Sequence, residues 1–174
     1  MAFFILELTK SVTVHPRHFH AKLPDHVINR LLTLTEGTTS GLYGYLLAVV
    51  EVERPLPPGR ILPGTGHAIF RLRYKALVYR PFLGEVLDGV IASVTRHGVF
   101  VAVGPLSVFV SARNVPSDME FDDSEQCFAS VVQGSEDRLE VGTMVRLRIV
   151  GMRRDATEIA AVGTLRADYL GVLG

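Results

Sequence analysis

The stretch "GEVLDGVIASVTRHGVFVAV", residues 84–103, decides how the second half of the chain folds. Apolar side chains alternate with small or polar ones over most of its length, which is the period-2 pattern of half-buried strands. The alternation breaks around His97 and Gly98, which predicts a tight turn joining two strands. We attribute Gly84 and Gly89 to the sharp strand curvature of a narrow barrel, and Gly98 to the turn.

The residues that follow extend this pattern and predict that residues 81–174 are all-β. Further strand-like runs are LSVFVS (106–111), EQCFASVVQ (125–133), TMVRLRIVGMRR (143–154) and TEIAAVGTL (157–165). We interpret the acidic residues of 118–125 as an irregular, solvated loop; the alternatives are a segment that orients RNA by repulsion and a contact for a basic partner surface. About five strands with one long insertion predict a small closed barrel of the OB type.

The first half of the chain has a mixed pattern. Residues 3–14 are rich in β-branched and aromatic residues and predict a strand. From Pro24 the apolar residues follow helical spacing, and Gly37 suits the position just past a helix end. Residues 43–53 and 70–80 predict two more strands. Residues 54–69 hold four prolines and three glycines and predict a loop. Residues 1–80 therefore predict an α+β unit with a Pro/Gly loop at its tip.

Charge supports a boundary between these halves. The formal net charge is zero, yet residues 1–80 carry ten Lys/Arg and five Asp/Glu, while residues 81–174 carry eight and thirteen. The change of sign predicts two domains, 1–80 and 81–174. Neither half has the strong basic excess that is typical of tight polyanion binders.

Three features of the sequence bear on the cellular compartment of the protein. No apolar run reaches the roughly 18 residues of a membrane helix. The start, MAFFILELTK, lacks the basic region of a secretory signal. Cys127 is the single cysteine, so no intramolecular disulfide can form. We expect an intracellular protein with no membrane partner.

Seven segments in colinear order carry a resemblance to a known family. They are HPRHF (15–19), LYGYLLAV (42–49), YKALVYRPFLGEV (74–86), GPLSVFVS (104–111), PSDMEFD (116–122), RLRIVG (146–151) and DYLG (168–171). Together they resemble the family of the seventh subunit of eukaryotic RNA polymerase II, which has a counterpart in the archaeal RNA polymerase. Residues 84–101 by themselves resemble the opening of the S1 subtype of OB fold, an RNA-binding module.

This resemblance implies a fold and a role. It implies an α+β tip domain of truncated ribonucleoprotein-like fold, followed by an S1-type OB barrel. It further implies a non-catalytic nuclear subunit that pairs with the fourth subunit of RNA polymerase II and docks its tip near the clamp. The subunit would support transcription initiation and contact nascent single-stranded RNA.

The Pro/Gly loop is the candidate for docking on the polymerase core. Ile61 and Leu62 would be apolar anchors, and prolines would lower the entropy lost on docking. The alternative is an ordinary connecting loop. The candidate docking residues are Gly59, Ile61, Leu62, Pro63, Gly64 and Gly66.

The barrel is the candidate for RNA contact. Phe100 matches an S1 strand position where aromatic residues stack on bases, and His97 falls where another aromatic often stands. Arginines could contact phosphates, with Arg154 as a further candidate. Alternatively, Phe100 belongs to the core and the arginines are solvated. Ser111 replaces a histidine usual in S1 domains, and the acidic balance predicts weak, salt-sensitive binding. The candidate RNA-binding residues are Arg96, His97, Phe100, Arg146, Arg148 and Arg153.

Other clusters do not predict chemistry. The histidines at 15, 18, 20 and 26 match no zinc-binding spacing. We expect His15 and Arg17 either to brace the strand-to-helix corner or to contact a neighbouring subunit. Cys127 is expected to be a buried small hydrophobe. No nucleophile elbow, HExxH or P-loop motif occurs, so we expect neither an enzyme nor a cofactor. The remaining alternatives are the equivalent subunit of polymerase III or I, a free-standing S1 protein, and an RNA-processing enzyme.

Overall fold

A computed structural model describes residues 3–174, and internal contacts divide them between Arg80 and Pro81 into two compact units. The first unit contains five strands and one α-helix. These elements are β1 (Phe3–Val14), a 3-10 turn (Pro16–His18), α1 (Leu23–Thr35), β2 (Thr38–Ser40), β3 (Gly44–Val52), β4 (Arg60–Ile61) and β5 (Ala68–Tyr79). The strands form one antiparallel sheet in the order β1-β5-β3-β2, with β4 paired to β5.

The core of the first unit lies between α1 and one face of its sheet. Val27 and Leu31 of α1 are completely buried, as are Val12 of β1 and Leu72 of β5. Pro24 in the first turn and Gly37, at φ +74°, bound the helix as its sequence predicts. The two shortest strands, β2 and β4, are not predicted from the sequence, because two or three residues show no periodicity.

The second unit contains nine strands. These elements are β6 (Val86–Thr95), β7 (Gly98–Val103), β8 (Leu106–Ser111), a 3-10 turn (Ala112–Asn114), β9 (Met119–Asp122), β10 (Cys127–Ser130), β11 (Arg138–Leu139), β12 (Met144–Arg154), β13 (Ile159–Thr164) and β14 (Gly171–Val172). Six strands lie in the order β13-β8-β7-β6-β12-β14, and the pairing of β12 with β13 closes a five-stranded barrel. The predicted fold class, an α+β unit followed by an all-β barrel, is confirmed.

In each strand of the barrel, every second side chain points inward, and these side chains fill the interior. Val99 and Val101 of β7, Val108 of β8, and Leu147 and Ile149 of β12 are completely buried. Since successive side chains of a strand point to opposite faces, the residues between them point outward. This alternation determines which side chains the barrel surface offers to a ligand.

The insertion between β8 and β12 forms a small sheet of its own, in the order β11-β10-β9. The interpretation of 118–125 as an irregular loop is wrong for its centre, because β9 pairs with β10. Phe121 and Phe128 occupy opposite positions, and their ring centroids lie 5.2 Å apart. Their contact attaches the acidic segment to β10 through an apolar pair. The many acidic residues around Phe121 made this contact hard to predict from the sequence. Cys127, in β10, is buried as expected.

The structure revises the reasons for two of the three glycines in the opening stretch. Gly84 precedes β6 at φ +80° with open space around it, so a backbone turn and not strand curvature requires it. At Gly89 a Cβ would lie 2.6 Å from the Val101 side chain, so close packing against β7 requires glycine there. Gly98 meets both demands, with φ +151° and no room beside β8.

Among residues 3–174, the 13-residue helix α1 is far shorter than a membrane-spanning helix, and no candidate membrane-spanning helix is found.

Candidate nucleic-acid interface

An aromatic pair stands on the outer surface of β7 and β8. Because their neighbours Val99, Val101 and Val108 point into the barrel, Phe100 and Phe109 point outward. The two phenylalanines are directly opposite each other, with ring centroids 4.9 Å apart and ring planes tilted by 46°. Phe100 is 39% exposed, so one ring is accessible to a base. We call Phe100 and Phe109 the aromatic platform.

Sequence reasoning missed Phe109, although a signal for it was present. In LSVFVS, the apolar residues Leu106, Val108 and Val110 alternate and are all buried. The same alternation places Phe109 on the outer face. Strand β13 pairs with β8 in parallel, and Val162 of β13 is opposite Phe109. Val162 is 40% exposed and extends the apolar surface of the platform.

Three of the predicted RNA-binding residues lie on the β6–β7 hairpin. Arg96 and His97 form its exposed turn, and Phe100 follows within β7. The Thr95 hydroxyl donates to the Gly98 carbonyl at 2.9 Å, and the His97 carbonyl accepts from the Ala112 amide at 2.8 Å. These two hydrogen bonds hold the turn in place while the side chains of Arg96 and His97 face solvent. If a base stacks on Phe100, its phosphate could contact the guanidinium of Arg96 or accept a hydrogen bond from the His97 ring.

Arg146 and Arg148 lie on a different part of the barrel. Both point outward from β12, as their alternation predicts, but they are opposite Asp88 and Val86 near the start of β6. Phe100 is opposite Ser93, which lies five residues beyond Asp88 on β6, about 17 Å at the usual rise of a strand. The structure therefore separates these arginines from the aromatic platform.

Arg146 is also occupied by an ion pair. Its Nε and Nη2 donate to the two Asp88 carboxylate oxygens at 2.7 and 3.0 Å. This bidentate hydrogen bond from Arg146 holds the pKa of Asp88 below its usual value. Arg146 is thus a weaker candidate for phosphate contact than its sequence context indicates. For Arg148, by contrast, no ion pair or side-chain hydrogen bond is found within residues 3–174.

The two remaining arginines differ in role. Arg153 is highly exposed and pairs with Asp155 at 3.2 Å, an arrangement that solvent makes weak. Arg154 donates to the Pro81 carbonyl at 3.0 Å and so braces the end of β12 against the start of its own unit. Arg153 remains available to a ligand, whereas Arg154 has a structural contact.

We expect the Asp88–Arg146 pair to make a small, pH-dependent contribution to stability. Because the pKa of Asp88 in the folded state lies below its usual 3.8, the pair stabilises the fold at neutral pH and is lost as pH falls through the folded-state pKa. Asp88→Asn should lower the urea midpoint slightly at pH 7, since both side chains are about 41% exposed. Urea titrations of both proteins should converge well below pH 4; a difference that persists at acid pH would contradict this.

Most of the Pro/Gly loop is irregular, as predicted, but its tip forms a short hairpin between β4 and the start of β5. Arg60 and Ile61 form β4 against β5, and the Leu62 amide donates to the His67 carbonyl at 2.8 Å. Gly64 and Gly66 have φ of +86° and +72°, which favours glycine at both positions. Ile61 is 59% exposed, while Leu62 is half-buried.

The remaining docking candidates flank the tip. Pro63 is exposed in the turn, and Gly59 lies against Phe70, whose ring would be 2.6 Å from a Cβ at that position. The six candidates therefore lie on or beside one hairpin, and Ile61 is its exposed large aliphatic side chain.

The histidine-rich corner has a structural role. The His15 Nδ1 accepts a hydrogen bond from the Arg17 amide at 3.1 Å and caps the 3-10 turn, as expected for a bracing residue. The rings of His18 and His26 stack with centroids 3.7 Å apart. In the described part of the chain, no group of three or more His, Cys, Asp or Glu residues is arranged to hold a metal ion.

Comparisons with known proteins agree with both units. A family model described as the S1 RNA binding domain matches residues 80–161. A second, described as the SHS2 domain found in N terminus of Rpb7p/Rpc25p/MJ0397, matches residues 9–66.

Full-length relatives share this arrangement. The DNA-directed RNA polymerase II subunit rpb7 of Schizosaccharomyces pombe is 43% identical, over 99% of this chain and 100% of the relative. The Dictyostelium discoideum subunit rpb7 is 41% identical over 99% of both chains. The Saccharomyces cerevisiae subunit RPB7 is 36% identical over 98% of this chain and 99% of the relative. With such identity along nearly its whole length, the chain belongs to the Rpb7 family of DNA-directed RNA polymerase II subunits.

Proposed function

We propose that the chain is a non-catalytic subunit of nuclear RNA polymerase II. It pairs with the fourth subunit as a stalk, docks near the clamp through its N-terminal domain, 1–80, and contacts nascent single-stranded RNA with its OB domain, 81–174. In this role it supports transcription initiation. The observation that carries the proposal is the identity of 36–43% to polymerase II subunits over 98–99% of the chain.

Two alternatives have less support. A free-standing S1 protein would leave the match over residues 9–66 unexplained. The equivalent subunit of polymerase III or I would not account for near-full-length relatives named as polymerase II subunits.

The hairpin supports the docking part of the proposal. Its backbone is held by the β4–β5 pairing and by the Leu62–His67 hydrogen bond, so little order has to be gained on binding. Ile61 exposes most of its side chain at the tip and would be desolvated by a partner pocket. A preordered hairpin with one exposed aliphatic anchor is well suited to a protein pocket.

We expect Ile61→Ala to weaken docking on the core. Full burial of an isoleucine contributes about 1.5–3 kcal/mol, so losing most of the side chain should weaken binding roughly tenfold or more. The measurement adds the heterodimer with the fourth subunit to polymerase II core lacking both subunits and quantifies the complex by gel filtration across concentrations.

Val141→Ala is the matched control, because Val141 is similarly exposed, at 65%, but lies in the second unit. Equal affinities for wild type, Ile61→Ala and Val141→Ala would exclude the hairpin as the docking element. Failure of the wild-type chain to join the core at all would overturn the proposed function itself.

The aromatic platform supports the RNA part. Base stacking on an aromatic side chain is sequence-tolerant, which suits contact with a transcript of any sequence. The −5 balance of residues 81–174 argues that the contact is weak and sensitive to salt. Such a contact would let the transcript slide as it emerges.

A further inference from the structure

A groove on the outer face of β6 and β12 lies apart from the aromatic platform. Its volume is about 470 Å³, within the range of small-ligand sites. Its lining includes Val86, Asp88, Arg146, Arg148, Tyr169 and Leu170. It therefore combines arginine side chains with an aromatic ring.

The C-terminal turn holds Tyr169 beside this groove. The Leu170 amide donates to the Ala167 carbonyl at 3.2 Å, which closes the turn. Directly after it, β14 pairs with β12, with Gly171 opposite Arg146, and the Leu173 amide donates to the Met144 carbonyl at 2.9 Å. The turn is thereby attached to the strand that carries the arginines.

Tyr169 has an unfavourable backbone conformation and an exposed side chain. Its φ is +64°, a region that non-glycine residues seldom adopt because the Cβ comes close to the following carbonyl oxygen. Its side chain is 93% exposed, so burial within the chain does not offset that strain. A strained, solvent-facing aromatic is a sign of a binding role.

Arg148 is the groove's available cation. The neighbouring Arg146 is engaged by Asp88, whereas no ion pair with Arg148 is found in residues 3–174. The pairing of Gly171 with Arg146 brings the end of the turn to β12, and both Tyr169 and Arg148 line the groove. One exposed ring and one free guanidinium thus face the same groove.

We propose that this groove is a subsite for one nucleotide of single-stranded RNA. The base stacks on the Tyr169 ring, and the Arg148 guanidinium donates hydrogen bonds to the phosphate. Asp168, which also lines the groove, and the neutralised Arg146 disfavour a longer run of phosphates there. The chain then contacts RNA at two separate places, and the groove binds a nucleotide that the platform does not reach. This inference rests on the proposed RNA contact of the barrel.

The test compares full-length chains in fluorescence anisotropy titrations with labelled oligouridine of increasing length. Tyr169→Gly removes the ring and relieves the positive φ, so folding should be at least as stable as in wild type. It should weaken binding of long oligonucleotides roughly 5- to 100-fold, as expected for one lost stacked base. Tyr169→Phe, which keeps the ring, should bind within about twofold of wild type.

The length of the oligonucleotide distinguishes binding at the platform alone from binding at both the platform and the groove. An oligonucleotide too short to span platform and groove should lose less affinity in Tyr169→Gly than a long one does. Arg148→Gln should weaken the binding of long RNA. It should also reduce the slope of log affinity against log salt concentration by about one, the value expected for one lost phosphate contact.

Two results would overturn the inference. If Phe100→Ala weakens RNA binding while Tyr169→Gly leaves it unchanged at every length, the groove is not an RNA subsite, and a protein contact becomes its explanation. If wild type itself shows no RNA binding, the proposed RNA function fails together with the subsite.

Discussion

Gly98→Ala should destabilise the barrel by about 3–5 kcal/mol, which is a large part of the stability of a typical domain. A Cβ at this position would overlap the Val110 carbonyl oxygen and lie 2.9 Å from Ser111 Cα. These are backbone atoms of the paired strand β8, so they cannot move aside without breaking the ladder. The φ of +151° adds strain for any residue with a side chain. Urea unfolding followed by circular dichroism measures the loss.

Gly104→Ala is the matched control. Gly104 also has a positive φ, +57°, but a Cβ there would meet no atom within 4 Å. Only the conformational cost applies, about 1 kcal/mol. Equal destabilisation by the two substitutions would show that conformation alone, and not close approach of β8, requires glycine at residue 98.

Phe100→Ala should lower the affinity for single-stranded RNA roughly 5- to 100-fold, because one stacked base contributes about 1–3 kcal/mol. The ring is 39% exposed on the barrel surface, so the substitution should leave the fold intact. Phe109→Ala should have a smaller effect, since its ring supports Phe100 from the side. Anisotropy titrations at two salt concentrations provide the measurement.

Phe100→Leu distinguishes stacking from packing. Leucine keeps most of the apolar volume but offers no π-face to a base. If Phe100 stacks on RNA, the leucine variant should bind nearly as weakly as the alanine variant. Wild-type affinity in Phe100→Leu, or unchanged affinity in Phe100→Ala with an intact fold, would contradict a stacking role.

Periodic elements were predictable from the sequence because burial imposes a visible repeat. Strand β1 spans the predicted residues 3–14, and β7 and β8 follow the alternation of valines that fill the barrel. Short strands such as β2 and β4 are too short to show an alternating pattern. They are strands because they pair with the longer strands β3 and β5. Strand β9 was concealed by acidic residues that face solvent around the Phe121–Phe128 contact.

The candidate sites were predictable only in part, because they depend on which strands become neighbours. The exposed Phe100 and the exposed Ile61 lie at positions indicated by pattern and by family resemblance. The Asp88–Arg146 pair joins residues 58 apart, and no local signal predicts it. Likewise, Tyr169 and Arg148 line one groove only because β14 pairs with β12. RNA contact and docking by these residues stay predictions.

Everything proposed for this chain depends on its joining an RNA polymerase II assembly. The decisive measurement is affinity purification of the tagged full-length chain from its native source, followed by quantitative mass spectrometry. We expect recovery of the fourth subunit and the large subunits of polymerase II in comparable amounts. Recovery of the chain alone, or with the large subunits of polymerase I or III in place of those of polymerase II, would contradict it.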